Sequence, residues 1–336
     1  MDAATVAAVF PAGPPPMITK RTAMGPGYAP RAAYPDRSMQ QFLVDELTGD
    51  HVILAPARAL RPDTFRVHAE PLPASVATCP FCRGNERDTP PEVARLGPGD
   101  LDTPGWTLRV VPNKFPIVGD GVAGAHEVVI FSPAHDTDLG ALANEAAADV
   151  LVALRDRARF HLARGSQYAQ AFVNQGRAAG ASIEHPHAQL VALDLVPPRA
   201  ELRLDRFTPA AFEEDRQHRV LDGEVVAWCP PASPTPFTLR LALADGGPRF
   251  DEATDDATRA VGVALRDVIA RIRTVLGDVA YNVMIETAPR DHTGPFRWWV
   301  DIVPRISIAA GFELATGLSV NIVAPADASS ALRAAR

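Results

Sequence analysis

The chain has 336 residues, 47% of them hydrophobic and 22% charged, with a formal net charge of −7, so it can bury a sizeable core in one large or two modest domains. Both signs of charge are evenly scattered, which argues against a nucleic-acid partner or a polybasic membrane patch but leaves room for a local positive pocket for an anionic ligand. Three cysteines, two of them in CPFC, are too few for a secreted disulfide framework. No apolar run approaches the roughly 18 residues of a membrane span, and the N-terminus lacks the basic region and cleavage pattern of a signal peptide. A cytoplasmic protein is expected.

Residues 1–37 are rich in Ala, Pro and Gly with no sustained period and read as a flexible arm without chemistry. From QFLVDELTGDHVILAPARALRPDTF onward, short apolar strands alternate with turn residues, TLRVVPNKFPIV and HEVVIFS being the clearest. A helix is expected from about Leu139 to Arg164, with Val150, Leu151 and Leu154 at helical spacing, followed by the strands YAQAFVNQG and HPHAQLVAL. The order then recurs: a helix through DATRAVGVALRDVIARIRTVLG, the strand YNVMIET, and the strand in FRWWVDIVPR. Two related halves follow, 38–198 and 199–336, with the boundary in the Pro-rich stretch near DLVPPRA.

Side chains at i, i+2 and i+4 of a strand share a face, so His185, His187 and Gln189 line up within roughly 7 Å of their neighbours. An unprotonated imidazole is a nucleophile at neutral pH, and a nearby primary amide can donate to an oxygen of the group it captures. Two satisfied histidines on a polar sheet face are the bland alternative, which the Gly- and Ser-rich turn NQGRAAGAS just before them disfavours. In the second half the matching positions are Arg297, Trp299 and Asp301, which suggests one working site and one altered site.

Cys79 and Cys82 in CPFC supply half of a tetrahedral zinc site, and the missing half has to come from histidines elsewhere. The expected ligands are His126, which opens HEVVIF, and His185, leaving His187 to face substrate. Reduced thiols in a turn are the alternative; a thioredoxin-like role lacks its βαβ context. Histidines 51, 68, 135, 161, 218 and 292 carry no spacing argument, and Cys229 reads as a buried thiol.

CPFCRGNE, VPNKFP, HEVVIFSPAHD, NQGRAAGASIEHPHAQLVA and PRISIAAGFELATGLSVN together resemble the galactose-1-phosphate uridylyltransferase family of the histidine-triad superfamily, from about Met39 to Arg333. The resemblance implies an α+β fold in which a histidine-triad-like unit is duplicated, with two largely antiparallel sheets, helices packed on one face of each, and a pseudo-twofold between them. It implies transfer of a nucleoside monophosphate, by default UMP, from a nucleotide sugar to a hexose 1-phosphate by a ping-pong route. His187 would be the nucleophile and Gln189 a donor to the phosphoryl oxygens. Arg58 and Arg61 would lie near the diphosphate, Asn113, Asn174 and Ser182 at the nucleotide or phosphate, and Phe312 and Glu313 at the hexose. One Zn2+ per chain and a homodimer are implied as well.

Two departures limit the match. Arg297, Trp298 and Trp299 stand where relatives carry HWH, so the family's second metal site is expected to be absent, with Arg297 replacing its charge and Trp299 its bulk. The family's glutamine after the Glu313 position is not evident in ELATGLSV, which leaves the accepting sugar open. Two further readings follow. One is a phosphorylase or hydrolase of nucleotide sugars or dinucleoside polyphosphates that uses the same histidine. The other is a zinc-stabilised nucleotide-binding module without catalysis.

Overall fold

The computed structural model describes residues 41–55, 76–119 and 122–335. The arm expected at 1–37 and the expected diphosphate ligands Arg58 and Arg61 lie outside these residues. In chain order the strands are β1 (Gln41–Val44), β2 (His51–Leu54), β3 (Ala94–Leu96), β4 (Leu108–Pro112), β5 (Gly124–Ile130), β6 (Tyr168–Gln175), β7 (His187–Leu193), β8 (His218–Leu221), β9 (Val225–Cys229), β10 (Leu239–Leu243), β11 (Tyr281–Glu286), β12 (Trp299–Pro304) and β13 (Leu318–Asn321). The helices are α1 (Asn144–Leu162), α2 (Pro198–Arg206), α3 (Pro209–Asp215), α4 (Asp255–Leu276), α5 (Gly311–Thr316) and α6 (Pro325–Ala334).

Ten of these strands form one antiparallel sheet in the order β3-β4-β5-β7-β6-β11-β12-β10-β9-β8. Its order is symmetric about the β6–β11 junction, where Asn282 faces Asn174 and Val283 faces Val173. The register repeats as well. Gln189 of β7 lies between Val128 and Phe172, and Asp301 of β12 lies between Arg240 and Met284. The duplicated α+β fold is therefore present, with its two half-sheets joined edge to edge. A smaller sheet pairs β1 antiparallel and β13 parallel to β2.

Strand alternation sorts side chains onto two faces. Ala188 and Leu190 of β7, Leu239 and Leu241 of β10, and Val300 and Ile302 of β12 enter the main core with α1 and α4. Helix α1 presents Ala147, Val150, Leu151, Leu154, Ala158 and Leu162, a stripe at helical spacing. Thr254 caps α4, accepting the Ala257 N–H, and α4 presents Val261, Leu265, Val268 and Ile272. The helices cross closely because Gly262 has no side chain: a Cβ there would fall 2.7 Å from Ala148 Cα.

On the opposite face the halves differ. In the second half α2 and α3 cover the sheet, so the helices do not all share one face as expected. Phe207 and Phe212 pack on Trp228, Phe296 and Trp299 together with Leu47. Within this layer Arg240 donates Nη2–H to Asp45 (2.7 Å), Nη1–H to Asp215 (2.6 Å) and Nε–H to Asp301 (3.1 Å). Trp299 opens β12 as His187 opens β7, so a buried indole stands where the first half has an imidazole. Arg297 donates to the Ala244 carbonyl at 2.7 Å and lies 3.7 Å from Glu213.

Burial pushes the Asp215 carboxyl up, and Arg240 pulls it back. Replacing Arg240 with Met is expected to cost about 3–5 kcal/mol, because three buried carboxylates lose their counter-charge. Burial already raises the Asp215 carboxyl in the folded state, so without Arg240 the folded variant binds a proton there that the unfolded chain does not, and the deficit should shrink as the pH falls from about 7 to about 5. Denaturant unfolding across that range checks both; a deficit independent of pH would contradict the shared charge.

Candidate active site

Both β5 and β7 deliver polar groups to the face away from α1. Because they are antiparallel, Ile130 at the end of β5 lies opposite His187 at the start of β7, whereas His126 lies opposite Val191. The loop after β5 and the turn before β7 therefore meet, and the CPFC turn packs over both.

Cys79, Cys82, His135 and His185 meet there, with one ligand atom from each within 4.8 Å of all the others. Cys82 Sγ lies 3.2 Å from His135 Nδ1 and 3.5 Å from His185 Nδ1. His185 Nε2–H donates to the Ser132 carbonyl at 2.7 Å, which leaves its Nδ1 lone pair facing the sulfur. Burial pushes the His185 imidazole down to about 4, against the pull of the Ser132 bond, so the ring is neutral. Burial and the neighbouring Cys79 push the Cys82 thiol up to about 11, a penalty that a bound cation would reverse. Two sulfurs and two imidazoles form a donor set that could hold a metal ion, tetrahedral in its preferences.

The fourth corner corrects the expectation. His135, not His126, joins the cluster, because antiparallel pairing places His126 several residues up the strand from His185. The signal was in the sequence: a strand antiparallel to HPHAQL offers the residues after its C-terminal end to the first histidine, and in HEVVIFSPAHD that is His135.

His187 is 6% exposed. Its Nδ1–H donates to the carbonyl of His185 at 2.9 Å, which fixes the tautomer and leaves Nε2 with the ring's lone pair. Burial holds the imidazole below its ordinary value, opposed by that same bond. Phe81 of the CPFC turn stands edge-on to the ring at 5.2 Å. The ring lines a cavity of about 210 Å³ together with Asn113, Lys114, Ser182, Gln189 and Phe81.

The turn that returns β6 to β7 uses Gly176 and Gly180 at φ 80° and 90°, where a side chain would be strained. It carries Ser182 to the cavity wall. Asn113 follows β4, and its Oδ1 accepts the Phe115 N–H at 2.8 Å. Gln189 Oε1 lies 2.9 Å from His126 Nε2.

Of the residues expected at substrate, His187, Gln189, Asn113 and Ser182 come together. Asn174 does not line the cavity; its Oδ1 accepts the Asn282 amide N–H at 2.8 Å across the junction of the halves. Phe312 and Glu313 sit on the exposed helix α5, where the Glu313 carboxylate accepts the Ala310 N–H at 3.0 Å, and neither lines the cavity. Sequence reasoning did not single out Lys114, whose signal was its place beside Asn113 in the NKFP loop, or Phe81, inside CPFC.

A family model described as galactose-1-phosphate uridyl transferase, N-terminal domain, matches residues 117–197. An ADP-glucose phosphorylase of Arabidopsis thaliana is 33% identical over 86% of this chain and 91% of its own length. A crystal structure of an ADP-glucose phosphorylase from Arabidopsis thaliana with bound ADP-glucose superimposes with a TM-score of 0.77 at 31% identity, covering 88% of this chain and 99% of that one. A galactose-1-phosphate uridylyltransferase of Streptomyces lividans is 33% identical over 48% of this chain and 40% of its own. Similarity that spans nearly the whole chain and includes the cavity just described leads to one conclusion: this protein belongs to the galactose-1-phosphate uridylyltransferase family of nucleotidyltransferases.

Proposed function

We propose that the chain moves a nucleoside monophosphate from a nucleotide sugar to inorganic phosphate through a covalent nucleotidyl-His187. The observation that carries this is the His187 tautomer: Nδ1–H is committed to the His185 carbonyl, so Nε2 has a lone pair for phosphorus. In the first half-reaction Nε2 bonds to the α-phosphorus, and the bond from that phosphorus to the bridging oxygen breaks. Sugar 1-phosphate leaves with the electron pair. The positive charge that develops on the ring is shared, through Nδ1–H, with the carbonyl that accepts it. In the second half-reaction a phosphate oxygen bonds to the same phosphorus, the P–N bond breaks, and a nucleoside diphosphate leaves with His187 restored. Asn113, Ser182, Lys114 and Gln189 line the cavity and provide donors and a positive charge for phosphoryl oxygens.

Phosphate as the acceptor is supported by the relationship to the ADP-glucose phosphorylase, which extends over most of both chains. A second reading, with hexose 1-phosphate as the acceptor and UMP as the group moved, is favoured by the family model over 117–197. For the metal, Cys79, Cys82, His135 and His185 would hold a zinc ion, which when bound supplies a fixed positive charge and a crosslink between the CPFC turn and the ends of β5 and β7. It thereby steadies His185, whose carbonyl holds the His187 proton.

Intact-mass measurement after mixing with ADP-glucose and, separately, UDP-glucose should show an adduct of one nucleoside monophosphate, stronger with the adenine donor and discharged by phosphate faster than by glucose 1-phosphate or galactose 1-phosphate. Discharge only by a hexose 1-phosphate would select the second reading. His187→Ala should give no adduct and lower turnover to background, a loss on the order of 10⁶-fold, with native folding and metal content. Cys79→Ser and His135→Ala should lower bound zinc and melting temperature together. Full zinc retention in His135→Ala, read by metal analysis, would remove that residue from the ligand set.

A further inference from the structure

His126 is buried, is not part of the metal cluster, and points along the same face as Gln189. Its environment decides where its proton sits. The backbone N–H of Ile117 points at its Nδ1 at 3.3 Å, and a main-chain N–H can only donate, so Nδ1 is the accepting nitrogen. Burial keeps the imidazole below its ordinary value, so it carries one proton, which sits on Nε2. That N–H donates to Gln189 Oε1 at 2.9 Å.

Three consequences follow. Gln189 has its carbonyl oxygen turned back to the sheet and its NH₂ left for whatever occupies the cavity. Asn113 Nδ2 lies 3.1 Å from the same protonated Nε2, which cannot accept from it. Its Oδ1 is committed to the Phe115 N–H, so Asn113 also has amide hydrogens to offer the cavity.

We infer that His126 is a positioning residue, which fixes the amide orientation of Gln189 so that two donors rather than an acceptor face the phosphoryl oxygens of the nucleotidyl group. The inference rests on the nucleotidyl-His187 reading above and deepens it. An amide free to rotate would present its oxygen to an anionic phosphoryl group about as readily as its NH₂, and only the second stabilises developing charge. Tying the far end of the side chain removes that choice before substrate arrives.

The test uses the full chain and follows adduct formation from ADP-glucose in single turnovers over a range of donor concentrations. His126→Gln places an amide donor near the position of Nε2 and should stay within a few-fold of wild type. His126→Leu should lower the maximal rate by about tenfold to a hundredfold, typical of losing a partner that orients a functional group, with a smaller change in the half-saturating concentration. In a Gln189→Ala background the same His126→Leu change should have little further effect, because there is no amide left to orient. His126→Glu, similar in shape to the Gln variant but offering only oxygens, should resemble Leu, and this pair decides the matter should His126→Leu not fold. An undiminished rate in His126→Leu, an equal loss with and without Gln189, or matching rates for the Gln and Glu variants would each overturn the inference. If wild type forms no adduct with any nucleotide sugar, the underlying reading fails instead.

Discussion

The hydrogen bond from His187 Nδ1 to the His185 carbonyl is the constraint on which the site depends. One contact sets the tautomer, the direction of the free lone pair and the route by which ring charge is shared. It exists because the two histidines are separated by a single proline, and it is rigid because His185 is held at both nitrogens. Nε2 bonds to the Ser132 carbonyl, and Nδ1 lies against Cys82. Two segments far apart in sequence, the CPFC turn and the loop after β5, thus converge on His185 to orient one imidazole, and neither contributes a reacting atom. Phosphoryl chemistry asks mainly for such positioning.

A second layer of orientation runs through β5. His126 accepts from the Ile117 N–H and donates its own N–H to the Gln189 carbonyl oxygen, so the strand that carries the nucleophile and the strand beside it each supply a histidine with a defined tautomer. The sheet makes this possible: antiparallel pairing places His126 diagonal to Gln189 and Ile130 directly opposite His187. Imidazole is well suited to this task, since one nitrogen accepts while the other donates, and fixing either fixes both.

Much of this was legible in the sequence. The repeat of helix, strand, strand was visible as apolar periodicity, and the correspondence of His187 with Trp299 matches the observed register. HPHAQL announced a polar strand face, and CPFC announced half of a donor set. What failed was long-range pairing. Choosing between His126 and His135 required knowing which end of β5 meets the start of β7, a matter of strand direction that local pattern does not encode. Asn174 was expected at the ligand but spends its side chain on Asn282, a partner brought close only by the edge-to-edge joining of the halves.

The buried charge hub of the second half bears on how such a duplication ages. With Asp45, Asp215 and Asp301 gathered around Arg240 beneath an aromatic lid, replacing Trp299 with histidine would supply a ring but not a cleft, since the space above it is already occupied by α2, α3 and the turn after β1. The second half thus serves as packed scaffolding that a single substitution would not open, while the described cavity lies on the first half.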